Sequence, residues 1–260
     1  MLTLRYLGEV VLAGFSVGVL IGITGVGGGS LMAPVLLLLF KMNPLLAVGT
    51  DLLYNMPTKI VGAIVHARQG TLNAFVALYL TCGGVIGAVF AALFLQYLGN
   101  RVGLAALSVL LRHWIGLAIC LSAVLTLLPL FTWRAFENQE ETTPNRVVLV
   151  ALGALVGAIV ITTSVGAGAI TMALLSLLLR RSKLAALVGS DLAFSAVLAA
   201  IGSAFYYSAG SVDVKFSLTL LLGSIPGVII GSRLSLRVGD QFLRPAVGSV
   251  LFFVGLRLLT

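Results

Sequence analysis

Asp51, Asn55 and Lys59 fall at i, i+4 and i+8 within an apolar block covering 45–66, with Thr58 beside them. On a helix that spacing makes one polar ridge. A charge at the centre of a membrane helix costs at least about 2.5–3.5 kcal/mol on insertion scales, so it must pair, be neutralised or face a cavity. Lys59 is suited to hold an anion or to balance Asp51, and Asp51 to bind a coupling proton or to anchor backbone donors. Asp191 recurs at the matching place in a second block, 184–207, where Ser195 and Ala199 replace Asn55 and Lys59. Lys59 is thus the one basic group well inside either block.

Upstream of each block lies a polar interruption: Gly22-Ile23-Thr24-Gly25-Val26-Gly27-Gly28-Gly29-Ser30, and Ile161-Thr162-Thr163-Ser164-Val165-Gly166-Ala167-Gly168-Ala169. The apolar runs on either side of the first, 10–23 and 31–40, would extend only about 21 Å and 15 Å as helix, against a hydrocarbon core of about 30 Å. They are expected as broken or hairpin segments whose free backbone points inward, because such backbone is tolerated at membrane depth only in protein or a wet cavity. A helix restarting near Leu31, capped by Ser30, would offer free N–H groups and the positive end of its dipole to an anion. Candidate substrate-binding residues are therefore Thr24, Gly27, Gly28, Gly29, Ser30, Thr50 and Lys59, with Thr163, Gly166, Gly168 and Ser190. Asp51, Asn55, Asp191 and His66 form a coupling or structural set. The plainer readings are a structural Asp51–Lys59 ion pair, aspartates bonded to the opposing break, and helix packing through Gly14, Gly18, Gly22, Gly153 and Gly157.

Composition sets the class. Hydrophobic residues make up 60% of the 260 and charged residues 9%, with a mean hydropathy of +1.15, far below the roughly 25% charge of soluble domains. An all-α polytopic membrane protein follows, with the lipid bilayer as its main partner. A membrane β-barrel would show short alternating strands instead. The net charge of +8 sits between apolar blocks, as topology-setting Lys and Arg do, so no nucleic-acid partner is expected. Arg180, Arg181 and Lys183, with Arg233, Arg237 and Arg244, favour the cytoplasmic side, while Glu137, Glu140 and Glu141 permit the opposite face for the connection 132–146. The start, Arg5 then 10–23, resembles a signal sequence but lacks a small-x-small cleavage site, and is expected to stay as the first membrane segment.

A duplication accounts for the order of blocks. Gly49 and Gly189, Asp51 and Asp191, Gly62 and Gly202, Gly70 and Gly210, Asn73 and Asp213 all stand 140 positions apart, while Thr24 and Thr163 stand 139 apart. The expected organisation is a first transmembrane repeat at 1–131, a connecting loop at 132–146 and a second repeat at 147–260. Secondary transporters are commonly built this way, with the substrate at the repeat interface. If each broken pair counts as one span the halves run parallel; if it folds back they are inverted.

Other side chains carry plainer expectations. His66, beside Arg68 at a helix end, reads as solvated; Arg112 and His113 as a helix end or kink, or an internal charge partner; Trp114 and Trp133 as interfacial anchors. Cys82 and Cys120 read as buried, reduced thiols. No metal-ligand cluster, serine elbow or phosphate loop occurs, since the first glycine run lacks a Gly-Lys-Ser/Thr ending. The chain is read as no enzyme, with no metal and no cofactor.

The ordered combination of Gly25–Ser30 with Pro34, then Ala47-Val48-Gly49-Thr50-Asp51-Leu52, Thr58-Lys59, His66 with Gly70, and the echo Gly189-Ser190-Asp191-Leu192 through Gly210 and Asp213, resembles the sulfite exporter TauE/SafE family of anion permeases. The resemblance covers nearly the whole chain. It implies a duplicated plan of about eight membrane spans in the bacterial inner membrane, and transport of sulfur oxyanions such as sulfite or organosulfonates. Phe194 and Ser203 stand where similar proteins often carry histidine, which removes those side chains from any mechanism here. The expected function is a permease working by alternating access between the repeats, with a small anion, a coupling proton or cation, and a second copy of the chain as the partners this class allows. The alternatives are a proton- or cation-coupled carrier of another solute and a non-transporting membrane scaffold.

Overall fold

The computed structural model describes residues 4–24, 28–132, 145–179, 184–234, 249, 252–253 and 255–258, and among them every regular element is a helix. These are α1 (Leu4–Thr24), α2 (Gly28–Pro34) running on as a π-helical Val35–Leu39, α3 (Pro44–Arg68), α4 (Ala74–Thr132), α5 (Arg146–Thr163), α6 (Ala169–Leu178), α7 (Leu184–Ser208) and α8 (Val214–Leu234). Four described helices are long and apolar enough to cross a bilayer: Ala74–Leu125 within α4, α5, Ala185–Ser208 within α7, and α8. α3 has the length, at 25 residues, and carries the polar ridge.

Caps fix where the helices begin. The Asn43 side chain accepts from the Leu45 amide at 3.0 Å, with Pro44 in the first turn, and Asn145 accepts from Val147 at 2.9 Å, each satisfying a donor that the first turn leaves free. Asn73 and Asp213 cap α4 and α8 in the same manner through Val76 and Phe216. At 59 residues α4 would run to about 89 Å if straight. It turns instead at Gly103, whose φ of 81° and ψ of 159° are open to glycine alone. The bend expected at Arg112 and His113 is thus displaced to Gly103; both residues are exposed within the second arm, and His113 Nδ1 lies 2.9 Å from the Val109 carbonyl.

Glycines set the directions of packing. A Cβ on Gly14 or Gly18 of α1 would strike the backbone of Leu220 or Ser224 of α8, and one on Gly22 would strike Ser232, so the two helices run parallel in close contact. Gly83 and Gly87 of α4 meet Val150 and Ala154 of α5 likewise, and Gly153 and Gly157 meet Leu80 and Gly84. The helix-packing reading of these upstream glycines stands. α3 and α7 run in opposite directions: Gly49 abuts Ser211 just beyond the end of α7, while Gly189 abuts Thr71 just beyond the end of α3. Between them, Gly62 meets Leu192 and Gly202 meets Leu52.

The surface is apolar and the interior partly polar, an inversion suited to lipid. Ile86, Phe90, Leu93, Leu117, Leu155 and Leu222 project outward, whereas Asp51, Asn55, Lys59, His66, Thr171 and Asp191 are buried. Cys82 also faces outward and Cys120 is half-buried, correcting the expectation of buried thiols: Cys82 precedes the packing glycine Gly83 and turns away from the α4–α5 contact. Trp114 is half-buried against the core. Trp133 and the connection through 144 lie outside the described residues.

Candidate functional site

The second break is built from left-handed backbone. Ser164 ends α5 at φ 55°, and Gly166 and Gly168 follow at φ 112° and 109°, values that glycine reaches without the clash a Cβ would bring. Thr163 closes the turn, its hydroxyl lying 2.7 Å from the Ile159 carbonyl and accepting from the Val165 amide at 3.1 Å. The first bonds of α6 are Ile170 to the Gly166 carbonyl and Met172 to the Gly168 carbonyl. The amides from Gly166 to Ala169 therefore precede the helix ladder and carry its positive end.

Asp191 and Asp51 converge on this break from two helices. The Asp191 carboxylate lies against the Gly168 amide and the Thr171 hydroxyl, and Asp51 against the side chains of Ser164 and Asn55, yet neither carboxylate closes a hydrogen bond among the described residues. Lys59 stands within electrostatic reach of both, the stronger interaction being with Asp191. Both aspartates are fully buried, and Lys59 is 3% exposed. α3 places Lys59 two turns from Asp51, and because α7 runs the opposite way, Asp191 approaches from the other end of the same ridge. Pro57 removes one backbone donor from α3 between Asn55 and Lys59, and there the Thr58 hydroxyl donates to Tyr54 O at 2.9 Å and meets Ser224 Oγ at 2.7 Å.

The first break is described only in part. Gly27 lies outside the described residues, as do Gly25 and Val26, and α2 resumes already at Gly28. Ser30 therefore sits inside the first turn rather than capping a helix that begins at Leu31. It is fully buried, and its hydroxyl has no partner among the described residues. α1 is longer than its apolar run: 21 residues give about 31 Å, enough for a crossing. Thr24 is its last residue and Gly29 lies in the first turn of α2.

Three candidates are engaged elsewhere. Thr50 Oγ1 accepts from the Asp213 amide at 2.9 Å, and Ser217 donates to the Thr50 carbonyl at 3.0 Å. Ser190 Oγ accepts from the Asn73 amide at 3.0 Å. These hydroxyls fasten each motif helix to the turn that follows the other. His66 is fully buried rather than solvated, because its ring turns inward, with Nδ1 2.9 Å from Thr71 Oγ1 and the Gly22 and Ala185 backbone nearby. Tyr206, 140 positions later, donates to the Ile161 carbonyl at 3.0 Å, and Ile161 stands 139 positions after Gly22. Each ring thus reaches the last turn of a helix that is about to break.

Ser164, one of the hydroxyls that the second break offers, and Thr171, which is not among the sequence candidates, complete the cluster. Thr171 had a signal, as a hydroxyl one turn into an otherwise apolar stretch; its meeting with Asp191 depends on the fold. The cluster offers one cation, two carboxylates, hydroxyls and amides outside the helix ladder, all of it buried. That set can hold and release a small polar or charged solute; it contains no nucleophile–base pair, and no group of three metal-ligating side chains occurs among the described residues.

Comparisons with known proteins agree. The family described as "Sulfite exporter TauE/SafE" matches residues 10–258. "Probable membrane transporter protein YjnA" of Bacillus subtilis (strain 168) is 35% identical over 96% of this chain and 99% of its own length. "Probable membrane transporter protein YdhB" of the same organism is 26% identical over the same shares, and "Probable membrane transporter protein MJ0441" of Methanocaldococcus jannaschii is 22% identical over 96% and 94%. No solved structure matches the chain. With its outward apolar helices and buried polar cluster, the chain belongs to the TauE/SafE family, as a multi-pass membrane transporter of the plasma membrane and not an enzyme.

Proposed function

We propose that the transported solute is a small sulfur-containing oxyanion, sulfite or an organosulfonate, carried by alternating access between two inverted repeats at 1–131 and 147–260. The observation that carries this reading is Lys59, buried between two carboxylates at a break whose amides are free of the helix ladder. A tetrahedral or pyramidal oxyanion needs several donors at once, and the amides from Gly166 to Ala169, the Ser164 and Thr171 hydroxyls and the Lys59 ammonium supply them. By the repeat register, Thr24 and Gly27 to Ser30 are the corresponding half of the site. The opposed directions of α3 and α7, and the paired Thr50–Asp213 and Ser190–Asn73 fastenings, support the inverted arrangement with about eight spans. Uptake of labelled sulfite into proteoliposomes tests the reading: saturable flux, competed by an organosulfonate, supports it, and flux no greater than in protein-free vesicles overturns it.

A second feature favours proton coupling. With all three groups ionised the cluster carries a net charge of −1, which repels an anion; a proton taken up on Asp51 or Asp191 removes the repulsion. Sulfite flux is expected to respond to an imposed pH gradient, and Asp51→Asn or Asp191→Asn to abolish that response. Indifference to both the gradient and the substitutions contradicts coupling through this pair.

A further inference from the structure

A second cationic feature lies away from the central cluster. Between the π-helical end of α2, the start of α3, the second arm of α4 and the C-terminal segment is a cavity of about 210 Å³, lined by Leu37, Leu38, Met42 and Leu258 with Lys41 and Arg112. Among the described residues the lining holds two cations and no carboxylate. Arg112 is exposed among outward apolar neighbours, with Val109 59% and Leu117 57% exposed. Its depth follows from Ser108, one turn earlier, whose hydroxyl lies 3.1 Å from the cap residue Asn43. Arg112 is therefore about 6 Å further along the helix than the start of α3. A cation at that depth on a lipid-facing surface needs a counter-charge or a route for its head to the interface. Lys41 adds a second charge from a left-handed backbone, at φ 50°, that lysine rarely adopts. The second half has Phe252 and Phe253 where the first has Arg112 and His113, so the arginine of this site has no counterpart there.

We propose that this cavity binds the phosphate headgroup of an anionic phospholipid, held between Lys41 and Arg112, with an acyl chain against Leu37, Leu38, Met42 and Leu258. The apolar wall and the lipid-facing position favour a lipid over a free anion, which would gain nothing from Leu37, Leu38, Met42 and Leu258. The site is independent of the transported substrate.

Native mass spectrometry of the full chain released from micelles containing equal phosphatidylglycerol and phosphatidylcholine tests the proposal. Phosphatidylglycerol is expected to be retained over phosphatidylcholine by roughly thirtyfold, at about one cation's attraction from each of Lys41 and Arg112. The double variant Lys41→Gln with Arg112→Gln should lose the preference, whereas Arg101→Gln, whose guanidinium sits over the Tyr97 ring, should keep it. Equal retention of the two lipids by the unaltered protein overturns the proposal, as does a preference that survives the double substitution. Displacement of phosphatidylglycerol by millimolar inorganic phosphate overturns the lipid assignment in favour of a free-anion site. Should the double variant fail to fold, the lipid comparison on the unaltered protein and on Lys41→Gln alone still decides.

Discussion

At the scale of single residues, the break before α6 depends on two glycines. Gly166 and Gly168 hold φ near 110°, where a Cβ brings a clash of about 1–2 kcal/mol. Gly168→Ala is expected to destabilise the purified protein by that order, read as a lowered unfolding midpoint, and to misplace the amide that faces Asp191. An unchanged midpoint would show that the backbone there relaxes at no cost. Asp51, Lys59 and Asp191 were legible in sequence because a charge in an apolar run has to be explained. The roles of Thr50 and Ser190 were not: a hydroxyl beside a motif aspartate looks like a ligand until the opposite turn is seen to donate to it. His66 misleads for a similar reason, since its neighbour Arg68 points to the interface while the ring itself turns in toward Gly22.

Among the elements, the glycine pairs fix how closely helices approach. A Cβ on Gly83 would fall 1.9 Å from the Val150 carbonyl oxygen, while one on Gly8 meets nothing within 4 Å. Gly83→Leu should therefore separate α4 from α5 and sharply reduce the folded, monodisperse fraction on size-exclusion chromatography. Gly8→Ala should leave that fraction unchanged or improve it, as alanine favours helix by about 1 kcal/mol over glycine. Equal yields from the two variants would contradict the packing account. Small-residue spacing announced these contacts in sequence, but not which helix each would meet, because the partner lies in the other half of the chain. The turn at Gly103 was also hidden, since one glycine in a long apolar run carries no mark that its ψ is 159°.

For the whole molecule, the contacts assign the connections to two ends. Arg146 sits over the Phe75 and Tyr79 rings at the start of α4, and Gly189 lies beside Thr71, so α5 and α7 both start at the end that carries Arg68. Arg233 at the end of α8 joins them, its helix running parallel to α1 from the other end. By the positive-inside rule this basic end, with Arg68, Arg146 and Arg233, is expected on the cytoplasmic side. In a background without Cys82 and Cys120, Gln69→Cys should react with an impermeant maleimide only in inverted vesicles, and Ser208→Cys only in whole cells. The reverse pattern would overturn the orientation.

The central claim is that Lys59, between Asp51 and Asp191, holds the transported anion, and Lys59→Met in proteoliposomes tests it most directly. Truncating one member of a buried charged cluster costs enough to slow saturable sulfite flux by about tenfold or more, with the variant still eluting as a folded species. Flux with unchanged rate and saturation would contradict the account and leave Lys59 as a structural counter-charge.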